Sequence, residues 1–291
     1  MFFVVTTGRS GSQTIARILS QSPNCICLHE PEPALVKEAT LYHYRLVSDK
    51  MIRAILLSTR TPILHRKIYG ESNQKLSTMI PVLAEAFPES QFIWLVRDGR
   101  DVVASTYYAR EWYKPVDEVV DRPEPFSIPL KEWTWYRLRG DLTGIMSTTQ
   151  WEALSRFEKN CWLWAYTNEI IQEHLEKLPK ERWMPIRLET LFEQLPDICR
   201  FVGVHLPPMI EKARHNVSAA VPKNWPEWSN DQKSAFERWC GEMMGMLYPD
   251  WRDPNGDWLD LCASKKAPPR CSMNSDPKRS RFAYLDGLRR R

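Results

Sequence analysis

Short apolar runs alternate with helix-like patterns over most of the chain. Phe2–Val5 and Phe92–Val96 are continuous apolar runs, which are typical of strands buried on both faces of a parallel sheet. The first run leads into a loop with two glycines and then into apolar positions at helical spacing up to Pro23. Strand, glycine-containing loop and helix in this order predict the start of a βαβ unit.

The remaining elements are predicted from the same signals. Strands are expected at Cys25–Leu28 and Trp183–Leu188, and helices at Leu76–Phe87, Val102–Tyr108, Phe157–Leu178 and Leu191–Val202. This alternation predicts an α/β fold, a single domain with a mostly parallel central sheet flanked by helices. Ligands of such sheets bind outside the carboxyl ends of the strands, so the residues after each strand are the first candidates for a functional site.

Two segments depart from the alternation. Residues 107–155 are rich in Trp, Tyr, Arg and Pro with little periodicity, which predicts an insertion over the sheet. Residues 264–291 carry nine Lys/Arg against two Asp, which predicts a flexible basic tail after a domain of residues 1–263. The chain has a net charge of +4 and the tail one of +7, which leaves −3 for the remainder. The basic charge thus belongs to the tail, and we expect no nucleic-acid partner.

Cysteine usage and hydropathy narrow the class further. The seven cysteines include no paired CxxC motifs, so no metal site is expected, and they fit reduced residues packed as small hydrophobes. No apolar run reaches the length of a membrane span, and the amino terminus lacks the charged start and cleavage site of a signal peptide. We therefore expect a soluble, cytoplasmic protein with no membrane partner.

The loop after the first strand has the composition of a phosphate-binding loop. Its sequence, Thr7–Thr14, lies between a strand and a helix, where backbone N–H groups and the helix dipole favour an anion. It lacks the lysine of the GxxxxGK[ST] motif, because Ser12 follows Gly11, and it has a cation, Arg9, instead. An ordinary turn is the alternative interpretation of these glycines.

A second candidate anion site follows the Phe92–Val96 strand. Arg97 comes directly after the strand, and Ser105 lies eight residues further on. An arginine there can fork onto a phosphate, and a serine about two helical turns later can donate to the same anion. The alternative is a plain helix start, capped by Asp98 or Asp101, in which Ser105 is incidental.

The two motifs together resemble those of the PAPS-dependent sulfotransferases, which use 3'-phosphoadenosine-5'-phosphosulfate (PAPS). The resemblance rests on Arg9–Ser12 and Val96–Ser105. The sequences of these motifs are similar to those of the protein-tyrosine sulfotransferases. Arg187–Leu191 and Trp225–Pro249 resemble later segments of the family, so the likeness covers roughly residues 1–250. It implies a P-loop-like sulfotransferase fold and transfer of a sulfonate group from PAPS to a hydroxyl or amine.

The resemblance also implies which residues bind the donor PAPS and its product PAP, 3'-phosphoadenosine-5'-phosphate. The 5'-phosphosulfate is expected on Arg9, Ser10, Gly11, Ser12, Gln13 and Thr14, and the 3'-phosphate on Arg97, Ser105 and Lys223. Two departures stand out: Gln13 replaces a hydroxyl residue, and Thr14 stands where an aromatic would stack on adenine. The family's reaction needs no metal.

Glu30 is the candidate catalytic base, with Arg9 as the residue that stabilises the leaving group. Glu30 follows the second strand, 21 residues after Arg9, and the proposed base of protein-tyrosine sulfotransferases has the same separation from their loop arginine. His29 and Glu32 are rivals. An extended chain would put Glu32 on the side of Glu30 and His29 on the other, although the flanking prolines weaken that alternation.

The acceptor is the part of the reaction that the sequence determines least. Aromatic residues that could line a cleft are Tyr107, Tyr108, Trp112, Tyr113, Trp133, Trp135 and Tyr136, although packing of the insertion explains them equally. We expect a small-molecule acceptor, with a protein tyrosine as an alternative. A P-loop kinase that uses ATP and Mg²⁺, and a nucleotide-binding protein without turnover, remain as other classes.

Overall fold

A parallel β-sheet forms the centre of the molecule. The computed structural model describes residues 1–60, 67–120, 128–207 and 224–252. Within these residues the sheet has five strands in the order β2-β3-β1-β4-β5, and every neighbouring pair is parallel. The strands are β1 (Phe2–Thr6), β2 (Cys25–His29), β3 (Ile68–Ser72), β4 (Gln91–Val96) and β5 (Trp183–Arg187).

Ten α-helices lie within the described residues. They are α1 (Ser12–Ser20), α2 (Val36–His43), α3 (Asp49–Arg60), α4 (Ile80–Ala86), α5 (Gly99–Ala104), α6 (Leu130–Trp135), α7 (Thr148–Ala153), α8 (Arg156–Leu175), α9 (Leu195–Val202) and α10 (Asn230–Leu247). The order of strands and helices confirms the predicted α/β fold.

The alternation of side chains along β1 explains why helices cover both faces of the sheet. Phe3 and Val5 point into a core shared with α3, α4, α8 and α10, whereas Phe2 and Val4 point into a second core shared with α1 and α9. All four side chains are fully buried. A strand with two buried faces is usually apolar along its length, which is the pattern that identified β1 and β4 in the sequence.

The predicted strands β1, β2, β4 and β5 are confirmed, but β3 was not predicted. Its sequence, Ile-Tyr-Gly-Glu-Ser, contains Gly70 and the charged Glu71, so it has no apolar run. Gly70 is required because a side chain there would overlap the ring of Phe2. The apolar run expected of a buried strand is therefore missing from β3, because Gly70 makes room for Phe2 and Glu71 is a buried charge.

Three helix boundaries differ from the prediction for identifiable reasons. The predicted helix Leu76–Phe87 begins as a 3₁₀ turn, Gln74–Thr78, and becomes α-helical only at Ile80, with Pro81 in the first turn. The helix predicted at Val102–Tyr108 begins earlier, at Gly99, and continues as a π-helical turn, Ser105–Ala109. Helix α9 starts at Leu195 rather than at residue 191, because Pro196 favours the first turn of a helix.

A buried ion pair anchors the end of β3. Glu71 is fully buried and accepts hydrogen bonds from Arg60 Nε at 2.7 Å and from Arg60 Nη2 at 3.0 Å. The Tyr69 hydroxyl and Asn73 Nδ2 donate to the same carboxylate at 2.9 and 3.3 Å. Arg60 Nη2 also donates to the Pro33 carbonyl, and Asn73 Nδ2 to the Ala34 carbonyl. The network thereby fixes β3 to the segment that follows β2.

Other sequence predictions are tested only in part. The described cysteines, Cys25, Cys27, Cys161, Cys199 and Cys240, are free and buried. In the described ranges no helix has both the length and the apolar character that crossing a bilayer requires. The domain end at residue 263 and the basic tail at 264–291 lie outside the described residues.

We expect Glu71→Gln to destabilise the fold strongly. The substitution leaves the fully buried Arg60 guanidinium without its carboxylate, and breaking a buried pair in this way typically costs about 3–5 kcal/mol. The measurement is the free energy of unfolding from urea titration. The control is Glu85→Gln, which breaks an exposed pair with Arg53 and should change the free energy by less than about 1 kcal/mol. Equal effects of the two variants would contradict the assigned role of Glu71.

Candidate functional site

The loop between β1 and α1 has the geometry of an anion-binding turn. Arg9 and Gly11 both have left-handed backbone, with φ of 68° and 87°. The Ser10 side chain is fully buried, and its hydroxyl is 2.6 Å from that of Thr7. The first backbone bond of α1 runs from Ile15 N to the Gly11 carbonyl, so the N–H groups of residues 11–14 precede the helical ladder. A left-handed backbone at a non-glycine residue such as Arg9 is uncommon and tends to occur at functional sites.

Both glycines of the loop are in contact with other parts of the chain. A side chain at Gly11 would overlap Leu188, which follows β5, and a side chain at Gly8 would overlap Gln74 and the ring of Trp112. Gly8 therefore allows Gln74, from the turn after β3, and Trp112, from the segment after α5, to approach the loop backbone. The sequence signal for a close backbone approach was the pair of glycines itself.

The two predicted anion motifs meet at the carboxyl ends of β1 and β4. Arg9 Nε donates to Ser105 Oγ at 3.0 Å, and Arg97 Nη1 donates to the Arg9 carbonyl at 2.9 Å. Arg97 also pairs with Asp101 at 3.0 Å. Burial, together with the nearby charges of Arg110 and Arg97, lowers the pKa of Arg9 to about 10. A bound anion would relieve this concentration of positive charge.

Asp98 and Arg100 stabilise the segment between Arg97 and Ser105. Asp98 caps α5 by accepting from the backbone N–H of Arg100, and its carboxylate pairs with the Arg100 side chain. Arg100 is buried and also donates to the Trp251 carbonyl at 3.0 Å. The Asp98 N–H donates to half-buried Glu189 at 3.0 Å. Capping by Asp98, the alternative interpretation of the motif, therefore coexists with the convergence of Arg97 and Ser105 on Arg9.

Glu30 comes directly after β2. Its backbone is left-handed, with φ of 46°, and its N–H donates to the Ser72 carbonyl at 3.1 Å. Gln74 Nε2 donates to Glu30 Oε1 at 3.4 Å, and Gln74 is the residue that contacts Gly8, so one amide side chain joins Glu30 to the loop. Burial raises the pKa of Glu30, although the nearby His29 and Lys75 charges act in the opposite direction.

The two rivals of Glu30 have different surroundings. His29 Nε2 lies 3.9 Å from Glu30 Oε2, and its Nδ1 is 3.1 Å from the Ser72 carbonyl. Glu32 is exposed. The alternation expected for an extended chain is wrong here, because the left-handed turn at Glu30 brings the side chain of His29 to the same side.

A cleft adjoins the loop and is lined in part by Gly8, Gln74 and Lys75. Glu30 is not part of its lining but contacts Gln74. Two of the seven candidate aromatics, Trp112 and Trp133, line it. Tyr107 instead packs edge-on against Phe157, and Trp135 is largely exposed. Tyr113 donates its hydroxyl to the Leu138 carbonyl at 2.6 Å. Cleft lining and packing of the segment thus each account for part of the aromatic set.

Two cations in the cleft were missed by the sequence analysis. Lys75 Nζ donates to the Tyr136 carbonyl at 2.5 Å and to Thr40 Oγ1 at 3.3 Å, and burial together with the Arg137 charge lowers its pKa to about 7. The Arg137 guanidinium stacks on the Trp112 ring at 3.9 Å. Lys75 follows β3, the strand that the sequence did not predict. The rule that ligands bind after strands would therefore have identified Lys75 only if β3 had been recognised.

The remaining predicted residues are less informative. Ser12, Gln13 and Thr14 are half-buried in the first turn of α1. Lys223 lies outside the described residues. Among the described parts of the chain, His, Cys, Asp and Glu side chains form no group that could hold a metal ion.

Comparison with known proteins points to one family. The chain matches the family model of the sulfotransferase domain over residues 1–244. No protein of curated function matches it.

Solved structures with a similar chain trace are sulfotransferases or sulfotransferase domains. A sulfotransferase domain from the curacin biosynthetic pathway is 17% identical and aligns over 72% of this chain and 75% of its own, with a TM-score of 0.42. A sulfotransferase domain from the Synechococcus PCC 7002 olefin synthase is 14% identical over 70% and 73%, with a TM-score of 0.42. A sulfotransferase from Alicyclobacillus acidocaldarius is 14% identical over 84% and 94%, with a TM-score of 0.43.

We expect Gly8→Ala to destabilise the protein by about 1–3 kcal/mol, as overpacking in a filled site does. The added methyl group would overlap the Trp112 ring, which is rigid and stacked on Arg137. Urea titration measures the effect. Gly245→Ala in α10 is the matched control, because its methyl group meets nothing within 4 Å, and alanine in a helix is favoured over glycine by roughly 0.5–1 kcal/mol. A neutral Gly8→Ala variant would show that the loop is not in contact with Trp112.

Proposed function

Because the chain belongs to the sulfotransferase domain family, we propose that it transfers a sulfonate group from PAPS to a hydroxyl or amine of a small-molecule acceptor. One observation carries the proposal: the 3.0 Å contact between Arg9 Nε and Ser105 Oγ. It unites the two motifs that, by resemblance, bind the 5' and 3' ends of the donor. Arg97 on the Arg9 carbonyl completes the same cluster.

The donor would be divided between these two motifs. Arg97 and Ser105 would bind the 3'-phosphate, since a guanidinium and a hydroxyl both donate to phosphate oxygens. The loop backbone at residues 11–14 and the positive end of α1 would hold the 5'-phosphate. Gln13 supplies an amide where the family has a hydroxyl, so backbone N–H groups would provide most of the contacts at that end.

Sulfonate transfer requires charge stabilisation at the leaving oxygen. The acceptor oxygen or nitrogen forms a bond to sulfur as the bond between sulfur and the bridging oxygen breaks, and that electron pair stays on the 5'-phosphate of PAP. Arg9, with its guanidinium close to the loop amides, would stabilise the charge that develops there. Its left-handed backbone holds the side chain at the edge of the sheet, beside Ser105.

Glu30 would accept the proton that the acceptor loses. A carboxylate partly withdrawn from water has a raised pKa and is a stronger base than an exposed one. Gln74 donates to the carboxylate and also contacts the loop at Gly8. The positive charge of Lys75 opposes the effect of burial and lowers the pKa of Glu30.

The lining of the cleft supports a small-molecule acceptor, since apolar and aromatic side chains with a few polar groups are typical of small-ligand sites. A protein tyrosine is the alternative acceptor. A kinase reaction is less well supported, because Ser12 follows Gly11 where an ATP-binding loop needs its lysine.

We expect PAP to bind without metal, and both Arg97→Ala and Ser105→Ala to weaken it. Loss of the arginine removes a charged hydrogen bond, so the Kd should rise about 10–100-fold, and loss of the neutral serine contact should raise it about 3–10-fold. Titration calorimetry of PAP, beside ATP with Mg²⁺, measures both effects.

Matched substitutions of the same residue types serve as controls. Arg200→Ala and Ser58→Ala alter exposed side chains on α9 and α3, and they should leave the Kd for PAP unchanged. A preference for ATP with Mg²⁺ that persists in Arg97→Ala and Ser105→Ala would refute PAPS as the donor and favour the kinase hypothesis.

Glu30→Gln should abolish most turnover while it preserves PAP binding. General-base catalysis contributes typically about 10²–10⁴-fold, and kcat should fall by that factor. In the wild type the rate should rise with pH as Glu30 loses its proton. Because burial raises the pKa of Glu30, the midpoint of that rise should lie above the usual glutamate value. Unchanged turnover in Glu30→Gln would exclude Glu30 as the base.

Lys75→Met offers a second test of the same assignment. The positive charge of Lys75 lowers the pKa of Glu30, so its removal should move the acidic limb of the pH–rate profile to higher pH. The conservative variant Lys75→Arg keeps the charge and should return the limb toward that of the wild type. A limb that stays in place in Lys75→Met would show that Glu30 is not the titrating group.

A further inference from the structure

The lining of the cleft carries charge of one sign. Among the described residues that line it, Lys75 and Arg137 are cationic, and the lining includes no aspartate or glutamate. The rest of the wall is apolar or neutral, with Val102, Leu138 and Leu163 beside three tryptophans. A concave site with one sign of charge and low-polarity walls concentrates ligands of the opposite charge.

Two buried polar atoms of the lining lack hydrogen-bond partners. Within the described part of the chain, the donor Arg137 Nε and the acceptor Asn160 Oδ1 have no hydrogen-bond partner. The Asn160 side chain is 2% exposed, and its amide nitrogen is already used, because it donates to the Arg156 carbonyl at 2.8 Å. Buried polar atoms in folded proteins are nearly always paired, so each of these two atoms is suited to a complementary group on a ligand.

The two cations also act on each other. The Arg137 charge contributes to the lowered pKa of Lys75, and burial lowers the pKa of both side chains. Arg137 is held in place by its stacking on Trp112 at 3.9 Å, so its guanidinium edge has a fixed direction. An anion in the cleft would favour the charged form of both residues.

On the premise of the proposed sulfotransferase activity, we propose that the acceptor is a small organic acid with an apolar body. Its anionic group would bind Arg137 and Lys75, and a hydroxyl or amide N–H on the same molecule would donate to Asn160 Oδ1. A guanidinium accepts a carboxylate as a planar fork, which would fix the orientation of the acceptor relative to Glu30. Arg137, on the segment predicted as an insertion, would then determine the specificity for the acceptor.

Matched pairs of acids and their neutral amides test the proposal. The probes are 4-hydroxyphenylacetate, 3-(4-hydroxyphenyl)propanoate and 10-hydroxydecanoate, each beside its primary amide. Titration calorimetry measures their binding to the protein saturated with PAP. We expect the acid of at least one pair to bind about tenfold or more tightly than its amide, as a charged hydrogen bond provides.

The variant Arg137→Gln should remove this preference. It should weaken binding of the acid about 10–100-fold and leave the amide nearly unchanged. Arg139→Gln is the matched control, since Arg139 lies two residues away and pairs with Asp141 and Glu152 instead of lining the cleft. That variant should keep the preference for the acid.

Two results would overturn the inference. One is equal binding, or no binding, of both members of every pair. The other is an Arg137→Gln variant that raises the KM for PAPS and leaves the preference for the acid in place, because Arg137 would then serve the donor. Failure of PAP to bind would refute the proposed function itself, whereas PAP binding without a preference for the acid refutes this inference alone.

Discussion

The buried carboxylate of Glu71 is the constraint on which the arrangement of the site depends. A charge without access to water must have its hydrogen bonds supplied by the protein, and here four donors from three side chains converge on it. Two of those side chains, Arg60 and Asn73, also hold the carbonyls of Pro33 and Ala34. The turn that bears Glu30 and the turn that bears Gln74 are therefore joined through one buried network, so the candidate base and the residue that contacts it are positioned together.

The proposed donor side and the proposed acceptor side meet at the loop after β1. The Arg9 side chain reaches Ser105 on one side, whereas Gly8 contacts Gln74 and Trp112 on the other. Thr6 reinforces the junction, because its N–H donates to Ser77 Oγ and that hydroxyl donates back to the Thr6 carbonyl. A small movement of the loop would thus alter both halves of the site at once, which is a reason for its dense packing.

Local sequence patterns were sufficient for the strands that are apolar throughout and for placing the two candidate anion loops at the carboxyl ends of β1 and β4. They were insufficient where a tertiary contact sets the structure. Strand β3 was missed because Gly70 makes room for Phe2 and because Glu71 is neutralised by Arg60, a residue distant in sequence. Lys75 and Arg137 were missed for the same reason: nothing near either residue in the sequence indicates that they face one cleft. Convergence of Arg9, Arg97 and Ser105 was implied by the family resemblance and by the rule for parallel sheets.

The crowding around Gly8 also bears on how such a site can diversify. Because the backbone of residue 8 touches the ends of Gln74 and Trp112, a change at any one of these positions alters the space available to the other two. In related chains we expect the three positions to covary, with a larger residue at 8 accompanied by shorter side chains at 74 or 112. Residue 8 belongs to the proposed donor loop and Trp112 to the proposed acceptor cleft. On that assignment, evolution of a new acceptor would require paired replacements.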